Sequence, residues 1–114
     1  MTSPERVDAG AVVPTGDGVQ WTLEASTDLN ANLVWLASGH EVGEHRNDAV
    51  DVLVVVLAGD GRVVVDGDAL EVAAQTVVHL AKGSRRRIEA GDAGLRYLTV
   101  HRRRGPLSIG RRTS

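Results

Sequence analysis

Nine residues, Gly39-His40-Glu41-Val42-Gly43-Glu44-His45-Arg46-Asn47, bring together two imidazoles, two carboxylates and an amide, with Asp51 shortly beyond them. These are the groups that carry protons near neutrality or hold divalent cations. The two histidines stand five residues apart, whereas a helical zinc-protease site needs them four apart on one helix face, and the glycine and valine between them argue against a helix. His79 and His101 read as strand histidines satisfied locally. No nucleophilic triad is legible, because a triad is defined by geometry that scattered residues do not display. Gly59-Asp60-Gly61 is no phosphate loop, since no helical pattern comes after it.

The elements that must position these side chains are strands. Val19 to Ala25, Ala31 to Ser38, Val50 to Ala58, Arg62 to Asp66, Ala69 to Val72, Thr76 to Ala81, Arg85 to Ala90 and Leu95 to Arg102 are runs of β-formers broken by turn residues, and a final short run spans Pro106 to Ile109. Recurring short strands without a helical period predict an all-β sandwich or barrel. Asp66-Gly67 between apolar runs has the composition of a two-residue hairpin turn, and Gly59-Asp60-Gly61 is expected to reverse the chain in a similar way one strand earlier. With no Phe and only Trp21, Trp35 and Tyr97 as aromatics, the core must be built from Val, Leu, Ile and Ala.

The chain of 114 residues suits one domain. We expect a flexible N-terminal arm over 1–18, a barrel domain over 19–110 and a tail over 111–114. There is no cysteine, hence neither disulfide nor thiolate metal site. No apolar run is long enough to span a membrane and no secretory leader is legible, so a cytoplasmic location without membrane association is expected. The composition, rich in Ala, Val, Gly, Asp and Arg, suggests a GC-rich bacterial genome. A net charge of −2 conceals an asymmetry, −10 over residues 1–81 and +8 over residues 82–114. The arginine clusters Arg85-Arg86-Arg87, Arg102-Arg103-Arg104 and Arg111-Arg112 do not read as a nucleic-acid surface. A strand sends alternate residues to opposite faces, no aromatics are interleaved for base stacking, and the acidic half supplies partners for pairing across strands or across a dimer.

The stretch from Gly39 to Asn47, with the valine run and Gly59 after it, resembles the first conserved motif of the cupin superfamily. The segment from Ala74 to Arg86, with Gly83 as turn glycine, resembles the second, and Ile88 to Val100 looks like the stretch after that motif in small single-domain cupins. The resemblance covers about Trp21 to His101 and implies an antiparallel jelly-roll β-barrel, the double-stranded β-helix. Cupins usually bind a transition metal through three histidines and a glutamate, and of those four positions this chain keeps His45 alone. Asn47, Val52 and Arg86 occupy the other three, and Ala74 and Ala81 replace a motif glycine and proline. An amide oxygen is a weak donor, valine cannot ligate, and a guanidinium repels cations. The resemblance therefore implies no metal cofactor; any divalent transition metal would have at most His45 and Asp51 to hold it.

The resemblance also places His45, Asn47, Val52, Val54 and Arg86 at the barrel mouth, where they would bind a small molecule, with Val56 sharing the inward face. An organic acid with an apolar body suits such a pocket, its carboxylate on Arg86. Arg86 is equally suited to a structural ion pair with Asp51 or Glu44. The alternatives are an enzyme (oxygenase, isomerase or lyase) with a non-standard metal site or His45 as general base, and a structural dimer with a filled barrel. A homodimer is expected, because small single-domain cupins usually pair and the strands from Val19 to Ser38, with Trp21 and Trp35, offer apolar surface.

Overall fold

The computed structural model describes residues 4–103. The expected run from Pro106 to Ile109, the tail over 111–114 and the arginines beyond Arg103 lie outside the described residues. Seven strands succeed one another: β1 (Gly18–Thr22), β2 (Leu29–Leu36), β3 (Glu41–Arg46), β4 (Val52–Val65), β5 (Asp68–Ala73), β6 (Val77–Leu80) and β7 (Arg85–Arg102). All pairings are antiparallel. A single 3-10 turn at Ala9–Ala11 is the only helical element among the described residues, so the all-β expectation holds.

Two long strands make the barrel, because β4 and β7 each belong to both of its walls. The first half of β4 lies between β6 and the second half of β7, and that half of β7 continues to β2 and β1. The second half of β4 lies between β5 and the first half of β7, which continues to β3. Inward residues of both walls, among them Val34, Leu36, Val52, Val54, Val56, Val63, Val72, Leu80, Ile88, Leu95 and Tyr97, form one core cluster. Val52, Val54 and Val56 share the inward face as expected.

Gly59-Asp60-Gly61 does not reverse the chain. It is a bend inside β4, marked by register shifts between Val56 and Ala58 and between Gly59 and Gly61, and the matching bend in β7 merges the two runs expected on either side of Gly91 to Gly94 into one strand. Close approach explains the glycines. A Cβ on Gly59 would collide with the carbonyl oxygen of Gly94, and one on Gly61 with the carbonyl oxygen of Glu89. Bulges of this kind bend a strand sharply while pairing resumes on either side. Asp66-Gly67 is a true hairpin turn; both residues have positive φ, 49° and 89°, as a type I′ turn requires.

Charges outside the barrel pair across and along strands. Arg62 Nε on β4 donates across to Glu71 on β5 at 2.9 Å, and Arg87 Nε donates along β7 to Glu89 at 2.7 Å. The segment before β1 is tied to the barrel. Arg96, stacked 5.9 Å from the centroid of the Trp35 ring, donates to the carbonyls of Ala9 and Val12, and Glu5 accepts from the amides of Glu24 and Ala25. Among the described residues no helix is long and apolar enough to cross a membrane.

Candidate functional site

At the end of the barrel away from the bends the walls part around a cavity of about 340 Å³. It is lined by Asn30 from β2, Val42 and His45 from β3, Asn47, Val52 and Val54 at and beyond the next turn, Leu80 from β6, and Arg86, Ile88, Tyr97, Thr99 and His101 from β7. His45, Asn47, Val52, Val54 and Arg86, scattered over some forty residues of sequence, thus share one cavity. Counting outward from its bend, β7 sets Ile88 opposite Tyr97 at the floor, Arg86 opposite Thr99 above them, and His101 at the rim. Each step of two residues is about 7 Å. Tyr97, Ile88 and Arg86 are buried, Thr99 and His101 half-buried and His45 exposed.

A bulge aims His45. Val42 pairs with Ile88 and His45 with Arg86, three residues of β3 against two of β7, so Val42 and His45 both face inward although simple alternation would send one of them out. The expected strand runs pass over Gly39 to Asn47, and β3 is a strand there whose pattern the bulge conceals. His45 Nδ1 donates to the carbonyl of Gly43 at 3.1 Å. Asn47 Oδ1 accepts from the amides of Ala49 and Val50 at 2.9 and 3.2 Å, closing the turn into β4.

Arg86 is 2% exposed. Its Nη1 donates to the carbonyl of Ser84 at 3.1 Å and to Ser84 Oγ at 3.4 Å, and no carboxylate lies within ion-pair distance of it among the described residues. Ser84 is itself placed by a turn, donating from N to the carbonyl of Ala81 with Gly83 at φ 87°. Burial alone pushes the guanidinium pKa down, the direction expected of a cation taken from water without a counter-charge. The ion pair with Asp51 or Glu44, the alternative to a ligand carboxylate, is not formed. Glu44 lies where its charge acts on Arg87.

Asp51 also leaves the metal set proposed for it. Val52 and Val54 point inward, so Asp51, one residue earlier, points outward, where its carboxylate accepts from Lys82 N at 2.9 Å and meets His79 Nε2 at 3.1 Å. These bonds, the amide first and the imidazole second, hold its pKa below the ordinary 3.8. His79 is thus satisfied on the surface. His101 is satisfied only in part: Nδ1 donates to the carbonyl of Arg102 at 2.9 Å, while the ring lines the cavity. Sequence reasoning missed His101, Thr99, Tyr97 and Asn30. The signal was period two along β7, because Tyr97, Thr99 and His101 pair with Val56, Val54 and Val52, whose inward face was recognised.

The residues present do not fit a divalent metal. The oxygen of Asn47 is committed to its turn, Val52 offers no donor, Asp51 faces away, and Arg86 brings positive charge to the same cavity. No group of three His, Asp or Glu side chains among the described residues could hold one.

No family model matches the chain, and no curated protein matches it. Solved structures do. A predicted oxalate decarboxylase from Thermotoga maritima superposes with a TM-score of 0.61 at 24% identity over 64% of this chain. The cupin domain of Cnp3 from Schizosaccharomyces pombe gives 0.67 at 18% identity over 72%. The chain spans 64% and 61% of the lengths of these two. KdgF from Halomonas sp. gives 0.76 at 15% identity, covering 92% of this chain and 97% of that one. Likeness at these identities establishes the fold, which is that of the cupins.

Proposed function

We propose that this cupin-fold chain is a metal-independent small-molecule-binding protein whose cavity takes a small organic acid, with the acid's carboxylate on Arg86. The observation that carries the reading is a guanidinium hidden from bulk water, facing a cavity, with no acid beside it among the described residues. An unpaired buried charge costs several kcal/mol. Nε and Nη2 have no protein acceptor among the described residues, and a carboxylate accepts two parallel N–H bonds from such a fork. No Asp or Glu lines the cavity, while Val42, Val52, Val54, Leu80 and Ile88 supply apolar wall for the body of the acid. A cytoplasmic location, with access to small metabolic acids, belongs to the same proposal.

The test is thermal stabilisation by a panel of short carboxylic acids. Wild-type protein and Arg85→Ala, altered on the exposed face of β7, are expected to be stabilised by mass action; Arg86→Ala is expected to fold and to lose the effect. Equal stabilisation of Arg86→Ala overturns the proposal. One observation favours a second reading, an enzyme using His45 as general base: His45 and His101 both line the cavity with Nδ1 committed to a carbonyl, which leaves Nε2 to accept a proton. Exchange of ligand C–H for deuterium from solvent, abolished in His45→Gln, would distinguish turnover from binding.

A further inference from the structure

Two amides and two imidazoles stand at the mouth of the cavity, and the hydrogen bonds they already make decide what each has left to offer. Asn47 commits Oδ1 to the amides of Ala49 and Val50. Its remaining group is therefore Nδ2, a donor. Asn30 Oδ1 accepts from Asn32 Nδ2 at 3.0 Å, and Asn32 Oδ1 accepts in turn from Thr22 Oγ1 at 2.8 Å, so Asn30 also retains its Nδ2. His45 and His101 each donate from Nδ1 to a main-chain carbonyl, which can only accept. In the neutral ring Nε2 is then an acceptor.

A rim of two donors and two acceptors is more than a carboxylate needs. Carboxylate oxygens only accept, and the fork of Arg86 satisfies them one layer down. An ammonium group only donates; it would meet the amide donors and the Arg86 charge with no carboxylate among the lining residues to offset them. A hydroxyl both donates and accepts. His45 is the direct cross-strand partner of Arg86, which separates their Cβ atoms by about 5 Å, so a hydroxyl close to the carboxylate is within its reach.

Resting on the acid-binding reading of this cavity, we infer that the ligand is a hydroxylated carboxylic acid: its carboxylate lies on Arg86 and its hydroxyls are read by Asn30, Asn47, His45 and His101. Discrimination against the acid lacking the hydroxyl then comes from imidazole and amide groups left without partners.

Calorimetry on the full chain, above the titration range of ordinary histidine, with two matched pairs tests this: 2-hydroxy-4-methylpentanoate against 4-methylpentanoate, and gluconate against hexanoate. In at least one pair the hydroxylated acid is expected to bind about tenfold more tightly, and leucine, with an ammonium in place of the hydroxyl, less tightly than 4-methylpentanoate. In the discriminating pair, His45→Leu or His101→Leu is expected to bring the ratio towards one while the acid without hydroxyl keeps its affinity. Asn47→Asp retains an oxygen for Ala49 and Val50, so its thermal midpoint should hold, but it adds a carboxylate to the lining of a cavity that has none and should weaken binding of both acids. Equal affinities within both pairs, or a ratio unmoved by both histidine variants, overturn the hydroxyl assignment while leaving acid binding in place. Failure of every acid to bind, or binding untouched by Arg86→Ala, overturns both.

Discussion

A guanidinium enclosed without a counter-charge raises the energy of the empty protein, so its removal should be favourable wherever no ligand is present. Replacing a buried ionic group with an apolar one of similar volume often stabilises by about 1–4 kcal/mol. Arg86→Met is therefore expected to raise the denaturation midpoint of ligand-free protein and to lose acid binding; a lower midpoint would mean that its bonds to Ser84 outweigh the cost of burying the charge. Tyr97, the single tyrosine and 3% exposed, gives a second measurement. Burial pushes its phenol from 10.0 up to about 12. With the folded value above the unfolded one, roughly 3 kcal/mol of stability is fully present below the unfolded value and is lost as pH rises through the folded one. Absorbance of tyrosinate should accordingly stay absent past the ordinary midpoint and appear together with alkaline unfolding. At this scale His45 and Arg86 were legible because they fall on motif positions. His101 was not, because its place beside Asn30 and Val52 depends on the register of three strands.

Apart from β3, whose bulge hides its alternation, the strands were legible from spacing and β-branched composition, and the Asp66-Gly67 turn from its two residues. The bend at Gly59 to Gly61 was not, since glycine and aspartate mark a reversal and a bulge alike; pairing with β5 on one side and β7 on the other decides between them. Substitution separates the glycines by what surrounds them. Gly61→Ala drives a methyl into the carbonyl of Glu89 and should cost about 3 kcal/mol or more, at or beyond the upper end for overpacking. Gly43→Ala, in the β3 bulge with open space around it, should stay within about 1 kcal/mol of wild type in denaturant titrations. The turns at the mouth are joined by Gly83 N donating to the carbonyl of Asn47 at 2.7 Å and by Asp51 accepting from Lys82 N. Because Asp51 titrates below its ordinary value, the stability from its bonds is present above the unfolded pKa and is lost as pH falls through the folded one. Wild type should lose more stability than Asp51→Asn between neutral and strongly acidic pH, read as the shift in thermal midpoint.

Over the whole molecule, the outer face of the sheet formed by β2, β7, β4 and β6 carries a row of Leu33, Leu98, Val55 and Val77 in register, already buried at Leu33 and opening to solvent towards Val77. Val77 is 57% exposed and nearby Leu53 39%. The proposed homodimer would cover this face, and Val77→Lys with Leu53→Lys should then halve the mass seen by light scattering; a monomeric wild type at tens of micromolar would remove the proposal. The anatomy of β7 also bears on how the chain is made. The last described strand pairs with β2, β3 and β4 and supplies both walls of the cavity, so while residues 85–102 are still inside the ribosome no wall has its central strand. The emerging chain must carry its valine-rich segments without a barrel to bury them, and folding waits on the emergence of β7. A nascent chain stalled before Arg85 should be as sensitive to protease as an unfolded one, and its strand-forming valines are the segments a chaperone would first have to shield.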